Sequence, residues 1–145
     1  MICIPFEPYH VETLVLQPWQ ESSYKNMTPE ILEDLALGPS YSLIDDNGVT
    51  LGCGGILHKW GSVALCWTWI SEMGPKNFIR FHREAVECVE TALEHYDRLE
   101  LYVKAGFVEG HRWAKILGFH MECPEMKKAL QDGSDAALFV RLGEG

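Results

Sequence analysis

The sequence predicts one α/β domain of the α+β kind, a central mixed and mostly antiparallel sheet of about seven strands flanked by about four helices. Three observations carry this. Three strand-like runs separated only by turn residues, Tyr41 to Asp45, Val49 to Leu57 and Val63 to Ile70, imply an antiparallel meander. The stretch from Ala64 to Phe119 then reads as strand, loop, long helix, strand and second helix. With 145 residues, 47% apolar and 23% charged, residues 1–145 suffice for a single core and show no second domain.

Taken in order, Ile2 to Phe6 forms a short first strand, stopped by Pro5 and Pro8. Tyr9 to Leu16 places Val11, Leu14 and Val15 at helical spacing until Gln17-Pro18 ends the pattern. Thr28-Pro29-Glu30-Ile31 is a helix start with Thr28 as cap and Pro29 in the first helical position; Gly38-Pro39 ends it. In the meander, Asp46-Asn47-Gly48 is a hairpin turn and Lys59-Trp60-Gly61-Ser62 a second one. Asn77 to Tyr96 is a helix whose Phe78, Phe81, Ala85, Cys88 or Val89, Ala92 and Tyr96 share one face. Arg98 to Val103 reads as a buried strand and Val108 to Leu117 as a helix ended by Gly118. Phe119 to Cys123 and Ala137 to Leu142 are the last two strands, and no repeat or low-complexity tract interrupts the chain.

Composition narrows the functional classes. A net charge of -9, from 21 acids against 12 bases, argues against an extensive nucleic-acid surface. The five cysteines form no CxxC pair and read as small core residues of a reducing compartment. Histidines 58, 82, 95, 111 and 120 lack metal-ligand spacing, and no Gly-x-Ser-x-Gly elbow is present. Without a signal-like start or a membrane-length apolar run, a cytoplasmic protein with no membrane association is expected. Leu51-Gly52-Cys53-Gly54-Gly55 lies inside a predicted strand, so its glycines mark a bulge or a close backbone approach rather than a nucleotide loop.

The loop Ser71-Glu72-Met73-Gly74-Pro75-Lys76 delivers a strand into a helix N-terminus, where unpaired N–H groups suit a phosphate-bearing ligand. Lys76, Arg80, His82 and Arg83 crowd the first turns of that helix, while Glu84, Glu87, Glu90 and Glu94 fill the rest. This reverses the order the helix dipole favours, at a cost of ~0.3–1 kcal/mol per charge unless an anion binds there.

The element order, together with Phe107-Val108-Glu109-Gly110-His111-Arg112-Trp113-Ala114-Lys115-Ile116-Leu117-Gly118-Phe119, resembles the GNAT family of acyl-CoA-dependent N-acetyltransferases. The resemblance implies acetyl-CoA as cofactor, bound where the fourth strand splays from the fifth, and a small-molecule or protein amine as acceptor. It implies backbone contacts to pantetheine from Trp69, Ile70 and Ser71, and a pyrophosphate site at Gly74, Lys76 and Asn77, with Arg80 assisting. Two departures stand out. The family's Gln/Arg-x-x-Gly-x-Gly/Ala loop keeps only one glycine here, with Ser71 and Lys76 at its ends. The family's tyrosine acid falls on Ala114 and its asparagine on Phe107.

Acetyl transfer requires a base for the amine, donors for the oxyanion and a route for the thiolate. Glu72 is the carboxylate nearest the fourth strand, and His111 the titratable group one turn before Ala114; these are the candidate catalytic residues. Trp67 and Trp69 share a strand face, where they either line an amine pocket, with Trp67 as the substrate contact, or pack as core. Glu94 to Asp97, Leu99 to Val103, His111-Arg112-Trp113 and Leu142-Gly143-Glu144-Gly145 further resemble bacteriophage GNAT-like proteins, including podoviral internal virion proteins. That resemblance implies an alternative, an inactive protein of this fold that associates with virion proteins in the host cytoplasm or virion. A homodimer is compatible with either reading.

Overall fold

The computed structural model describes residues 1–25 and 27–144, so that Gly145, the last of the Gly-rich end, lies outside the described residues. Its strands are β1 (Ile2–Ile4), β2 (Ser40–Ile44), β3 (Thr50–Trp60), β4 (Val63–Ile70), β5 (Arg98–Lys104), β6 (His120–Met126) and β7 (Ala136–Leu142). The α-helices are α1 (Pro18–Lys25), α2 (Pro29–Leu37), α3 (Pro75–Leu93) and α4 (Val108–Ile116). All seven strands join one sheet in the order β1-β2-β3-β4-β5-β7-β6. Only β4 and β5 run parallel; the other neighbours are antiparallel, which is the mixed sheet the sequence predicts.

Local chemistry accounts for most boundaries. The Thr28 hydroxyl accepts the Ile31 N–H at the start of α2, and Pro29 follows it. In the β2–β3 turn the Asp45 carboxylate accepts from Asn47 N–H and Val49 N–H, at 2.8 and 2.9 Å, and Gly48 takes a φ of 80°.

Several boundaries differ from expectation, β1 ending at Ile4 and β6 running to Met126 among them, and one helix is new. The Tyr9 to Leu16 segment is a 3-10 helix over Pro8–Thr13. β3 continues through Lys59 and Trp60, so the turn contracts onto Gly61, with its φ of 50°, and Ser62. α3 begins at Pro75, whose fixed φ suits the first helical position, and ends at Leu93. The helix Pro18–Lys25 was not expected, because Pro18-Trp19-Gln20-Glu21 offers no apolar stripe; among its described side chains, Gln20 bonds it to the backbone of β4.

The sheet has two covered faces. On one, α3 buries Phe81, Ala85, Val89 and Ala92 against Leu43, Ile56, Leu99 and Phe139, with α4 adding Ala114. On the other, the 3-10 helix and α2 cover Cys53 and Trp69 with Phe6, Val11 and Leu35. Phe81 is fully enclosed, so Phe81→Ala is expected to cost ~3–5 kcal/mol in a denaturant titration. A loss below ~1 kcal/mol would show that the face is not packed as described.

The glycines of β3 mark close approach, and the register against β2 also shifts beside them, skipping Leu51 between Leu43↔Gly52 and Ile44↔Thr50. A Cβ on Gly52 would stand 2.8 Å from the Phe81 ring, and one on Gly54 2.7 Å from the Tyr41 hydroxyl.

His10 is buried beneath the 3-10 helix; its Nδ1 accepts the Glu7 N–H at 3.1 Å and lies 2.8 Å from Ser42 Oγ. Burial pushes its proton affinity down, against the opposing charge of Glu7. The folded protein therefore takes up this proton at lower pH than the unfolded chain, whose histidine titrates near ~6.5. The contribution is complete above that value and is lost as pH falls towards the folded value. Unfolding free energies at about pH 7.5 and 5.5 should differ more for wild type than for His10→Gln; equal differences would remove His10 as the cause.

Candidate functional site

β4 and β5 pair over only three positions, Val63↔Arg98, Ala64↔Leu99 and Leu65↔Glu100. Beyond these, β4 follows β3 as far as Ile70↔Gly52, while β5 follows β7 as far as Lys104↔Ala136. Each strand stays with its outer partner, so the sheet opens into a notch. Its closed end is pinned by charge. The buried Glu100 carboxylate accepts from Lys59 Nζ at 2.6 Å and Arg98 Nε at 2.8 Å, and Arg98 also takes Glu122 of β6 in a bidentate pair. Burial alone would raise the Glu100 pKa, but the hydrogen bonds from Lys59 and Arg98 outweigh it and hold the carboxyl below its ordinary value.

A cavity of about 480 Å³ occupies the notch. It is walled by Cys66, Thr68 and Ile70 of β4, by Leu101 and Val103 of β5, and by side chains from both faces of the sheet. Backbone groups alternate between the two edges of a strand. Ile70 and Thr68 turn theirs into the notch: Ile70 N–H donates to Gln20 Oε1 at 2.9 Å, Gln20 Nε2 donates to Thr68 O at 2.9 Å, and Gln17 N–H donates to Ile70 O at 3.2 Å. Ser71 N–H instead donates to Leu51 O of β3. Of the expected run Trp69, Ile70 and Ser71, only Ile70 therefore faces the notch with its backbone, and Thr68 is its companion.

Trp67 and Trp69 do share a face, with ring centroids 5.3 Å apart, and both border the cavity from the α2 side. Trp69 is the more buried, packed with Cys53 and Leu35, while Trp67 is half-buried against Phe6. The Trp67 indole Nε1 is buried without a hydrogen-bond partner among the described residues. Such an orphaned donor costs ~1–3 kcal/mol until something accepts from it.

At the notch mouth, Ser71 is buried, its hydroxyl donating to Leu51 O at 2.7 Å, whereas Glu72, Gly74 and Lys76 are exposed. Gly74 caps α3 with no side-chain hydrogen bond to the first turn, and nothing lies within 4 Å of where its Cβ would be. Pro75 contributes no N–H, which leaves Lys76 and Asn77 as the free donors of the turn. An anionic group thus has room, donors and a lysine. Among the described residues no carboxylate pairs with Lys76, Arg80 or Arg83. Arg80 lies on the α3 flank facing β1, where its charge acts on the Cys3 thiol.

The two candidate catalytic residues are not at the cavity wall. Glu72 is exposed on the loop, and His111 lies edge-on to Phe139 of β7 with Nε2 3.4 Å from the Lys104 carbonyl. Ala114 is buried at the wall, and Phe107 stacks under Trp19 of α1 at 5.4 Å. The titratable groups that do border the cavity include Tyr41, Tyr102, Glu109, Cys66 and Cys88. Burial, reinforced by Glu84 and Glu87, pushes the Cys88 thiol up to about 11, and burial raises Cys66 further. Neither is a thiolate near neutral pH, so neither is an available nucleophile.

Tyr41 projects from β2 onto the α3 side, with its ring 5.4 Å from Phe81 and its hydroxyl in the space that Gly54 leaves open. Burial, with the nearby thiols, raises its ionisation well above the ordinary value, so it keeps its proton. Sequence reasoning missed Gln17, Trp19, Gln20, Tyr41 and Glu109. Only Tyr41 had a signal, the glycine at position 54 of a buried strand.

Among the described residues no group of His, Cys, Asp and Glu could hold a metal ion, and no helix is long and apolar enough to cross a membrane.

No family model matches this sequence, and no curated protein matches it either. Solved structures do match. A GNAT-family acetyltransferase from Bacillus anthracis is 15% identical over 99% of this chain and 95% of its own, with a TM-score of 0.68. Ard1 from Thermoplasma volcanium is 16% identical over 99% and 98%, with a TM-score of 0.69. A GNAT superfamily phosphinothricin acetyltransferase from Sinorhizobium meliloti, in complex with AcCoA, is 16% identical over 99% and 89%, with a TM-score of 0.68. These likenesses show the fold, the GNAT acyl-CoA N-acyltransferase fold.

Proposed function

We propose that this protein, which has the GNAT fold, is an acyl-CoA-dependent N-acetyltransferase that moves an acetyl group to a primary amine. The observation that carries the reading is the parting of β4 from β5 after Leu65 and Glu100, which opens a cavity through the sheet. The S. meliloti structure of the same fold contains AcCoA, which supports this ligand class. Acetyl-CoA supplies the acetyl group as an activated thioester.

The chain's own residues divide the remaining work. The N–H groups of Lys76 and Asn77, beside the uncrowded Gly74, bind pyrophosphate, and the Lys76 ammonium adds a charge-assisted contact. Arg80 contributes long-range attraction from its flank of α3. The Ile70 and Thr68 backbone offers a strand edge to the pantetheine amides. On the α2 side, Trp67 gives the acceptor a ring face for a cationic amine and an indole N–H in need of an acceptor. Glu109 lines the cavity, where a carboxylate can take the amine's proton, and Glu72 on the loop after β4 is the second candidate for that role.

Negative charge builds on the carbonyl oxygen and then on the sulfur as the amine attacks. The phenol of Tyr41 meets it as a hydrogen-bond donor. With its ionisation raised by burial it is too weak an acid to surrender the proton, so it acts by donation and the thiolate is protonated from solvent.

Thermal unfolding with and without acetyl-CoA tests the reading. A saturable rise of several degrees is expected. No rise at millimolar ligand would favour the other reading, a virion-associated protein that keeps the fold without the chemistry, as the short matches to bacteriophage proteins suggest.

A further inference from the structure

The edge of β4 that should receive an acyl-CoA arm is already paired, and paired by the chain itself. The Gln20 side chain presents one N–H and one C=O, the same pair that a secondary amide presents, and it spans Thr68 O and Ile70 N–H at 2.9 Å each. Gln17 N–H adds a third bond to Ile70 O, at 3.2 Å. On the opposite lip of the notch, Trp19 stacks on Phe107 at an interplanar angle of 12°. Helix α1 thus crosses the notch from β4 to the start of α4. Among its described side chains, which end at Glu21, the bonds of Gln20 and the stacked ring of Trp19, itself still 40% exposed, are what hold it there.

We infer that α1 is a displaceable strap: Gln20 occupies the Thr68 and Ile70 edge in the ligand-free protein and leaves when the amides of an acyl-CoA arm pair there. Two ligands cannot share those two backbone groups, so the strap and the arm compete. Measured affinity is then reduced by the fraction of molecules in which the strap is closed. The inference rests on the acyl-CoA reading above and adds a regulation of the same site: anything that holds α1 down weakens the cofactor, and anything that draws it away strengthens it.

The test is calorimetric titration of CoA into wild type, Gln20→Ala and Gln20→Glu. The Ala variant removes both bonds; the Glu variant keeps the size but sets a carboxylate oxygen against Thr68 O. Two bonds of ordinary net strength correspond to about thirtyfold, so Gln20→Ala should bind CoA about thirtyfold more tightly than wild type, and Gln20→Glu, which loses the Thr68 bond, also more tightly. Hydrogen exchange of the peptide covering Leu14 to Gln20 should accelerate when CoA saturates the wild type, because the Gln17 N–H loses its partner on Ile70. If wild type binds CoA and both variants bind equally or more weakly, or if that exchange slows, the strap is refuted while the cofactor reading stands. If none of the three binds CoA, the cofactor reading falls and the strap falls with it. Melting curves of the unliganded variants confirm that they are folded before titration.

Discussion

Tyr41→Phe should lower turnover of acetyl-CoA with an amine acceptor by ~10²–10³-fold, the effect of deleting one donor to a developing oxyanion. The substitution removes a single oxygen. The ring keeps its place beside Phe81, and the space above Gly54 loses an atom rather than gaining one, so folding should be little affected. CoA affinity should also be unchanged, because the lost donor acts on charge that appears only during transfer. A single-turnover assay beside a CoA titration separates the two. Full activity in Tyr41→Phe would move the donor role elsewhere, and weakened CoA binding with normal turnover would make Tyr41 a cofactor contact only.

Lys76→Glu should abolish the thermal shift given by acetyl-CoA. At ~100 times its dissociation constant a ligand adds about 2.7 kcal/mol. A charge-assisted hydrogen bond contributes ~1.5–3 kcal/mol, and reversal of the charge adds repulsion at the dipole's positive end. The two losses together are comparable to the whole shift. Lys76 is exposed and pairs with no carboxylate among the described residues, so the unliganded protein should melt near the wild-type temperature. An undiminished shift would remove the α3 N-terminus from the cofactor site.

Much of the fold was legible because its signals are local. Asp46-Asn47-Gly48, Thr28-Pro29 and the apolar spacing on α3 each specify their element through nearest-neighbour chemistry, and all three appear where expected. Helix α1 was illegible for the opposite reason. It carries no apolar stripe, and its partners Thr68 and Ile70 are about 50 residues away in sequence. The candidate site shows the same division. Gly74, Lys76 and Asn77 belong to one loop and one helical turn, with Gly74 as the cap of α3 and Lys76 and Asn77 in its first turn. His111 was a reasonable choice by helical position, but a helix's rotation about its axis is set by packing, and α4 turns that residue onto Phe139.

By itself, the sequence determined the order of elements apart from α1, the hairpins, and the amphipathic face and cationic first turns of α3, since turn chemistry, capping and periodicity act over a few residues. Only the tertiary structure decided that β4 and β5 part after three pairs, that Tyr41 reaches the cavity above Gly54, and that Gln20 lies across the strand edge. Those outcomes depend on which neighbour each strand follows and on contacts between residues distant in the chain. Neither is written in any short window of sequence.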